Sequence, residues 1–136
     1  MTRLSNARRG VAAVKLALLL PFLAFFVVVG VDWARIWYYS AIVTSCARNG
    51  ARYASDPDTQ RSSPYANVTE AALADAPKLS EAPTVISNTG TDTSGRYVEV
   101  IVSWPFRTIA NYPGMPRNTV LLGKARMALN HQAPTF

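Results

Sequence analysis

From Leu16 to Val31 the chain carries no charged side chain. That run lies in residues 11–31 (VAAVKLALLLPFLAFFVVVGV), where 18 of 21 residues are apolar, the exceptions being Lys15, Pro21 and Gly30. A helix of about 20 such residues crosses the hydrocarbon core of a bilayer. A helix apolar on every face needs to be covered on every face, and a chain of 136 residues has too little else to cover it. The segment therefore reads as a transmembrane helix.

The flanks give its direction. Arg3, Arg8 and Arg9 precede the segment; Asp32 and Arg35 follow it. The excess of arginine before the span places the N-terminus in the cytoplasm and residues 32–136 across the membrane. A cleaved secretory signal would have a shorter apolar region, about 7–15 residues, closed by a small-x-small site. This run is longer and ends at Val29-Gly30-Val31-Asp32-Trp33, so the apolar segment is expected to stay in the mature protein. Lys15 stands near the start of the span, where its amine can reach the cytoplasmic headgroups. Its other reading is a charge partner for an acid on a second membrane helix. Pro21 removes one backbone donor and predicts a kink near Ala17–Pro21.

Beyond Val31 the helix is expected to continue to about Ala54, giving one element of about 65 Å from Val11. Trp33, Trp37, Tyr38 and Tyr39 cluster where the outer interface falls, as aromatic belts do. Apolar residues at Trp33, Ile36, Trp37, Ala41 and Ala47 recur at mostly helical spacing, with Val43 out of phase and Gly50 a weak point. Cys46 reads as a small buried hydrophobe.

The remainder reads as a small outer domain. Residues 55–66 form a polar loop, and Asn67 caps a short helix over Ala71–Ala76 that Pro77 ends. Thr84–Ser87 is a short strand, and residues 88–95 (NTGTDTSG) carry turn chemistry. Tyr97–Phe106 alternates, with Val98, Val100, Val102, Trp104 and Phe106 on one face; Pro105 marks a strand end or edge. After the turn-rich Asn111–Asn118 connector, Thr119–Asn130 forms a third strand. Leu121, Ala125, Met127 and Leu129 face inward on it, and Gly123 sits at a close-packing point. The expected fold is α+β: a long N-terminal transmembrane helix extending into a small antiparallel sheet. Its parts are a basic leader (1–10), the span (11–31), the extramembrane helix (32–54) and the outer domain (55–136).

Charge and composition narrow the function. The net charge is +6, but +4 of it lies in residues 1–31, leaving the body nearly neutral. No clustered basic face is left for nucleic acid. One Cys and one His exclude an intrachain disulfide and a multi-histidine metal site. His131 lies near the C-terminus, and no phosphate loop, zinc-helix motif or nucleophile elbow is present. Asp56 and Asp58 lack the following Gly and Glu of a calcium loop and read as loop or helix-capping residues. The Asn67-Val68-Thr69 triplet is a glycosylation sequon only in a host that glycosylates secreted chains. No enzymatic activity and no cofactor are expected.

Arg8-Arg9-Gly10 leads directly into Val11-Ala12-Ala13-Val14-Lys15-Leu16-Ala17, and this resembles the type III signal of type IV pilins and pseudopilins. More closely, residues 8–54 resemble the TadE-like family of tight-adherence (Flp) pilus assembly proteins. The parts that carry the likeness are Arg9-Gly10, Val14–Ala17, Leu18-Leu19-Leu20-Pro21, the aromatic exit Trp33–Tyr39, and Ala47-Arg48-Asn49-Gly50-Ala51-Arg52-Tyr53-Ala54. The resemblance implies cleavage between Gly10 and Val11 by a prepilin peptidase and a pilin-like outer domain. It also implies pilin-like subunits and assembly-platform proteins of a pilus or secretion apparatus as partners. The family carries Glu where this chain has Lys15. That Glu is held to pair with a neighbour's free amino terminus, a contact that Lys cannot make. The competing expectation is an unprocessed single-pass anchor whose outer domain binds other envelope proteins.

Overall fold

The computed structural model describes residues 3–74, 76, 79, 81–109 and 118–129, with residues 3–10 described by their backbone. One helix, α1 (Arg3–Ser55), is followed by two short helices, α2 (Pro57–Ser62) and α3 (Val68–Leu73). Three strands follow: β1 (Thr84–Asp92), β2 (Gly95–Arg107) and β3 (Asn118–Ala128). They form one antiparallel sheet in the order β1-β2-β3. The α+β architecture expected from the sequence is present, with a meander laid on the C-terminal half of a long apolar helix.

α1 has 53 residues, which makes it about 80 Å long. It begins before the expected Val11 and takes in residues of the basic leader. It also runs unbroken through Pro21 and Gly50. Gly50 is a packing position rather than a weak point: a Cβ there would stand 3.0 Å from the Ala72 Cβ and 3.1 Å from Val100.

Below Asp32, the side chains of residues 11–31 are exposed on nearly every face of α1. Above it, one stripe is covered. Asp32, Ile36, Tyr39, Val43, Cys46, Ala47, Gly50 and Ala51 turn inward; Trp33, Trp37, Ala41, Ser45 and Arg48 turn outward. This corrects the expected stripe. Val43, which looked out of phase, is 1% exposed and central to the core, whereas Trp33, Trp37 and Ala41 lie on the opposite face. Ile36 and Ala47 do face inward as expected, whereas hydrophobicity misplaces Trp33 and Trp37 because the outward face also carries large aromatics.

Small residues are required because the sheet comes very close. A Cβ on Gly123 of β3 would overlap the carbonyl of Val43. Strand and helix backbones are therefore in direct contact, at the position where the sequence predicts close packing. The inner sheet face supplies Val98, Val100, Val102, Trp104 and Phe106 from β2 and Leu121 from β3, all buried. Each large apolar side chain so buried contributes roughly 1.5–3 kcal/mol. Cys46 is buried and free, as a small core hydrophobe.

Three local assignments change. Residues 55–66 contain a helix, α2, because Asp56 caps it through the Asp58 N–H and Pro57 opens it. The Thr59 hydroxyl and then the Asp58 N–H hold the Asp56 carboxyl below its ordinary value of 3.8. α3 keeps its Asn67 cap, which accepts from the Glu70 N–H at 2.8 Å, but ends at Leu73. β1 extends to Asp92, so the turn shrinks from residues 88–95 to Thr93-Ser94. Gly95 closes this hairpin at φ 116°, a conformation that favours glycine. Pro105 lies inside β2 but past the end of β1, so only β3 flanks it there. The Asn111–Asn118 connector lies almost wholly outside the described residues, as does Pro77.

Gly123→Ala is expected to destabilise the outer domain by about 1–3 kcal/mol, since a backbone carbonyl cannot swing aside as a side chain can. Gly30→Ala, which meets nothing within 4 Å, serves as the control and leaves stability unchanged or slightly raised. Thermal unfolding followed by near-UV circular dichroism in detergent reads both. Equal melting temperatures for the two variants would contradict the backbone contact.

Candidate functional site

The residues singled out by the sequence lie along α1 in two groups. Arg8, Arg9 and Gly10 are in its first turns, followed by Val11 and Lys15, both exposed. Pro21 lies inside the apolar stretch. About 33 Å along the axis from Gly10, α1 reaches Asp32 and the aromatic cluster. The fold does not bring the two groups together. His131 lies outside the described residues.

Of the four aromatics at the exit, Trp33, Trp37 and Tyr38 are 53%, 70% and 61% exposed. Tyr39 belongs elsewhere: it packs on Trp104 and Phe106, with ring centroids 4.7 and 5.9 Å away. Helical geometry explains the split, because consecutive positions on α1 differ by about 100° and only one of them can face the sheet.

The element that sequence reasoning missed is Asp32, read only as a flanking charge. Its side chain is 1% exposed. The backbone N–H of Ile109, just past the end of β2, donates to both carboxylate oxygens at 3.2 and 3.0 Å. Arg35, one turn along α1, donates to Oδ1 at 3.1 Å. The Arg35 guanidinium also lies 5.1 Å from the centre of the Phe106 ring. A carboxylate is costly to bury unless charge and hydrogen bonds compensate it, and here both do. The result is a clamp: the end of β2 is tied to α1 at the residue where the apolar stretch stops. The available signal was an acid directly after the apolar run, with an arginine three residues on.

On the other side of β2, the Trp104 indole N–H donates to the Glu81 carbonyl at 3.0 Å, anchoring the segment before β1. Among the described residues, no group of three or more His, Cys, Asp or Glu side chains is placed to hold a metal ion. The arrangement is one of packing and anchoring.

The fold thus defines a class: a small antiparallel sheet carried on a helix long and apolar enough to cross a membrane. An 18-residue window of that helix has a mean hydropathy of 2.6, and none of it is buried within the fold. The comparison with known families is more particular. The family model described as TadE-like protein matches residues 10–52, the stretch on which the resemblance rests. TadE-like proteins are associated with membranes and with the Tad pilus. No curated protein and no solved structure matches the chain.

Asp32→Ala is expected to remove the clamp and cost about 2 kcal/mol, the scale of hydrogen bonds to a charged group. Asp32→Asn retains one acceptor oxygen for the Ile109 amide while losing the other and the charge paired with Arg35, so its effect is smaller. Amide hydrogen exchange at Ile109 reports the contact directly. Unchanged protection of that amide in Asp32→Ala would show that the clamp does not hold the strand end.

Proposed function

We propose that this protein is a non-enzymatic, membrane-anchored, pseudopilin-like component that assists assembly of a tight-adherence pilus or a related secretion apparatus. The observation that carries the reading is the extent of the family match. It begins at Gly10, where the basic leader gives way to the apolar helix, and ends at Arg52, within the Ala47–Ala54 stretch. The segment therefore includes both the expected processing position and the turns of α1 that seat the sheet.

In this reading a prepilin peptidase cleaves between Gly10 and Val11 and removes Arg3, Arg8 and Arg9. The span remains in the cytoplasmic membrane with its N-terminal end toward the cytoplasm, and the sheet domain lies on the far side. The exposed apolar surface of residues 11–31 packs against helices of pilin-like subunits, and the outer domain contacts proteins of the assembly platform. Lys15 is exposed on that surface. An amine there favours a neighbour with a carboxylate at matching depth.

The lysine also supports a second reading, an unprocessed single-pass anchor whose outer domain binds envelope proteins. Intact-mass spectrometry on membranes from cells that co-express the host's prepilin peptidase separates the two. A mass matching residues 11–136, lost when Gly10 is replaced by a bulky residue, is the expected result. A mass that retains residues 1–10 would overturn processing and leave the anchor.

A further inference from the structure

We propose that the sheet domain touches the membrane itself, through a lipid-facing end formed by Ile109 and Val120 at the height of Trp33 and Trp37 of α1. The inference rests on the reading of residues 11–31 as a membrane span.

The argument begins with height. β2 descends alongside α1: Val100 lies beside Gly50, Phe106 beside Tyr39, and the Ile109 N–H on Asp32. Asp32 directly follows the apolar run. The clamp therefore fixes Ile109 at the level where α1 leaves the hydrocarbon. Val120 pairs with Pro105, one residue before Phe106, and so lies only a few residues higher. Trp37 is about 7.5 Å above Asp32 along the helix axis. An interfacial apolar face buries about 5–10 Å into the headgroup and acyl boundary, which matches this range of heights.

The chemistry of the outer sheet face changes along the same axis. At the end far from Asp32 it is charged and paired: Lys124 meets Glu99 at 3.0 Å, and Arg126 meets Asp92. Toward the near end Leu122, Val120 and Ile109 are 68%, 59% and 64% exposed, with Arg107 among them reaching Glu81 at 3.8 Å. Exposed aliphatic side chains level with interfacial tryptophans, and an arginine whose head can reach the headgroups, suit the bilayer interface. The occupant is set by continuity, because these side chains lie at the depth at which the span itself emerges.

The test is a depth measurement on the full chain in phospholipid nanodiscs containing anionic lipid. Single cysteines are introduced as Ile109→Cys, Thr91→Cys at the far hairpin, and Leu20→Cys in the span, each carrying an environment-sensitive fluorophore. Native Cys46 is 2% exposed and out of reach of the reagent. Ile109→Cys keeps the backbone N–H that binds Asp32, so the clamp survives the substitution. The label at 109 is expected to be quenched by brominated lipid and to be several-fold less accessible to iodide than the label at 91. If 109 behaves like 91 while 20 is quenched by brominated lipid, the span stands and the sheet contact is refuted. If the label at 20 also escapes the lipid quencher, the span and the contact both fail. Shielding of 109 from iodide without quenching by lipid would mean that a protein covers this end, which overturns the lipid assignment.

Discussion

Asp32 is where α1 changes its surroundings. Before it, side chains are exposed around most of the helix; after it, one stripe is closed over by the sheet. A buried carboxylate at such a boundary is stable only with its charge and lone pairs met, and Arg35 and the Ile109 amide meet them. That requirement orders the neighbourhood. It fixes the end of β2 against the helix, sets Phe106 beneath the Arg35 guanidinium, and brings the descending strand to the foot of the domain. The rest of the sheet follows by register from β2, its central strand.

The outer half of α1 must also let a sheet approach at backbone distance. Ala47, Gly50 and Ala51 supply little volume, and Gly123 supplies none on the strand side. The bulk of the core comes instead from β2, whose alternating valines and aromatics fill the space that the helix leaves. One partner is smooth and the other is knobbed.

Much of this was legible in the sequence. The alternation of Val98–Phe106 identified the central strand and its buried face, and Gly123 between inward-facing residues marked the close approach. The length of the apolar run fixed the helix. What escaped had a physical reason in each case. The buried stripe of α1 is legible at Ile36 and Ala47 but not at Val43, because the aromatics Trp33 and Trp37 on the outward face outweigh it. The extent of β1 was hidden because Asn88–Asp92 lies on an edge strand with most of its side chains in water, where polar residues carry no periodic signal. Asp32 was overlooked because its partner is a backbone N–H 77 residues away, which no local pattern announces.

The continuity of α1 has a geometric consequence. α1 is helical throughout from Arg3 to Ser55, with Pro21 inside its lower half, so the half that seats the sheet and the half below it belong to one helix. Such a rod transmits rotation. If the lower half turns about its axis by one residue's worth, about 100°, the sheet is carried round that axis through the same angle. The azimuth of the outer domain about the helix axis therefore follows that of residues 11–31. A rotation of residues 11–31 thus re-aims a surface tens of ångströms away without altering a single contact inside the domain.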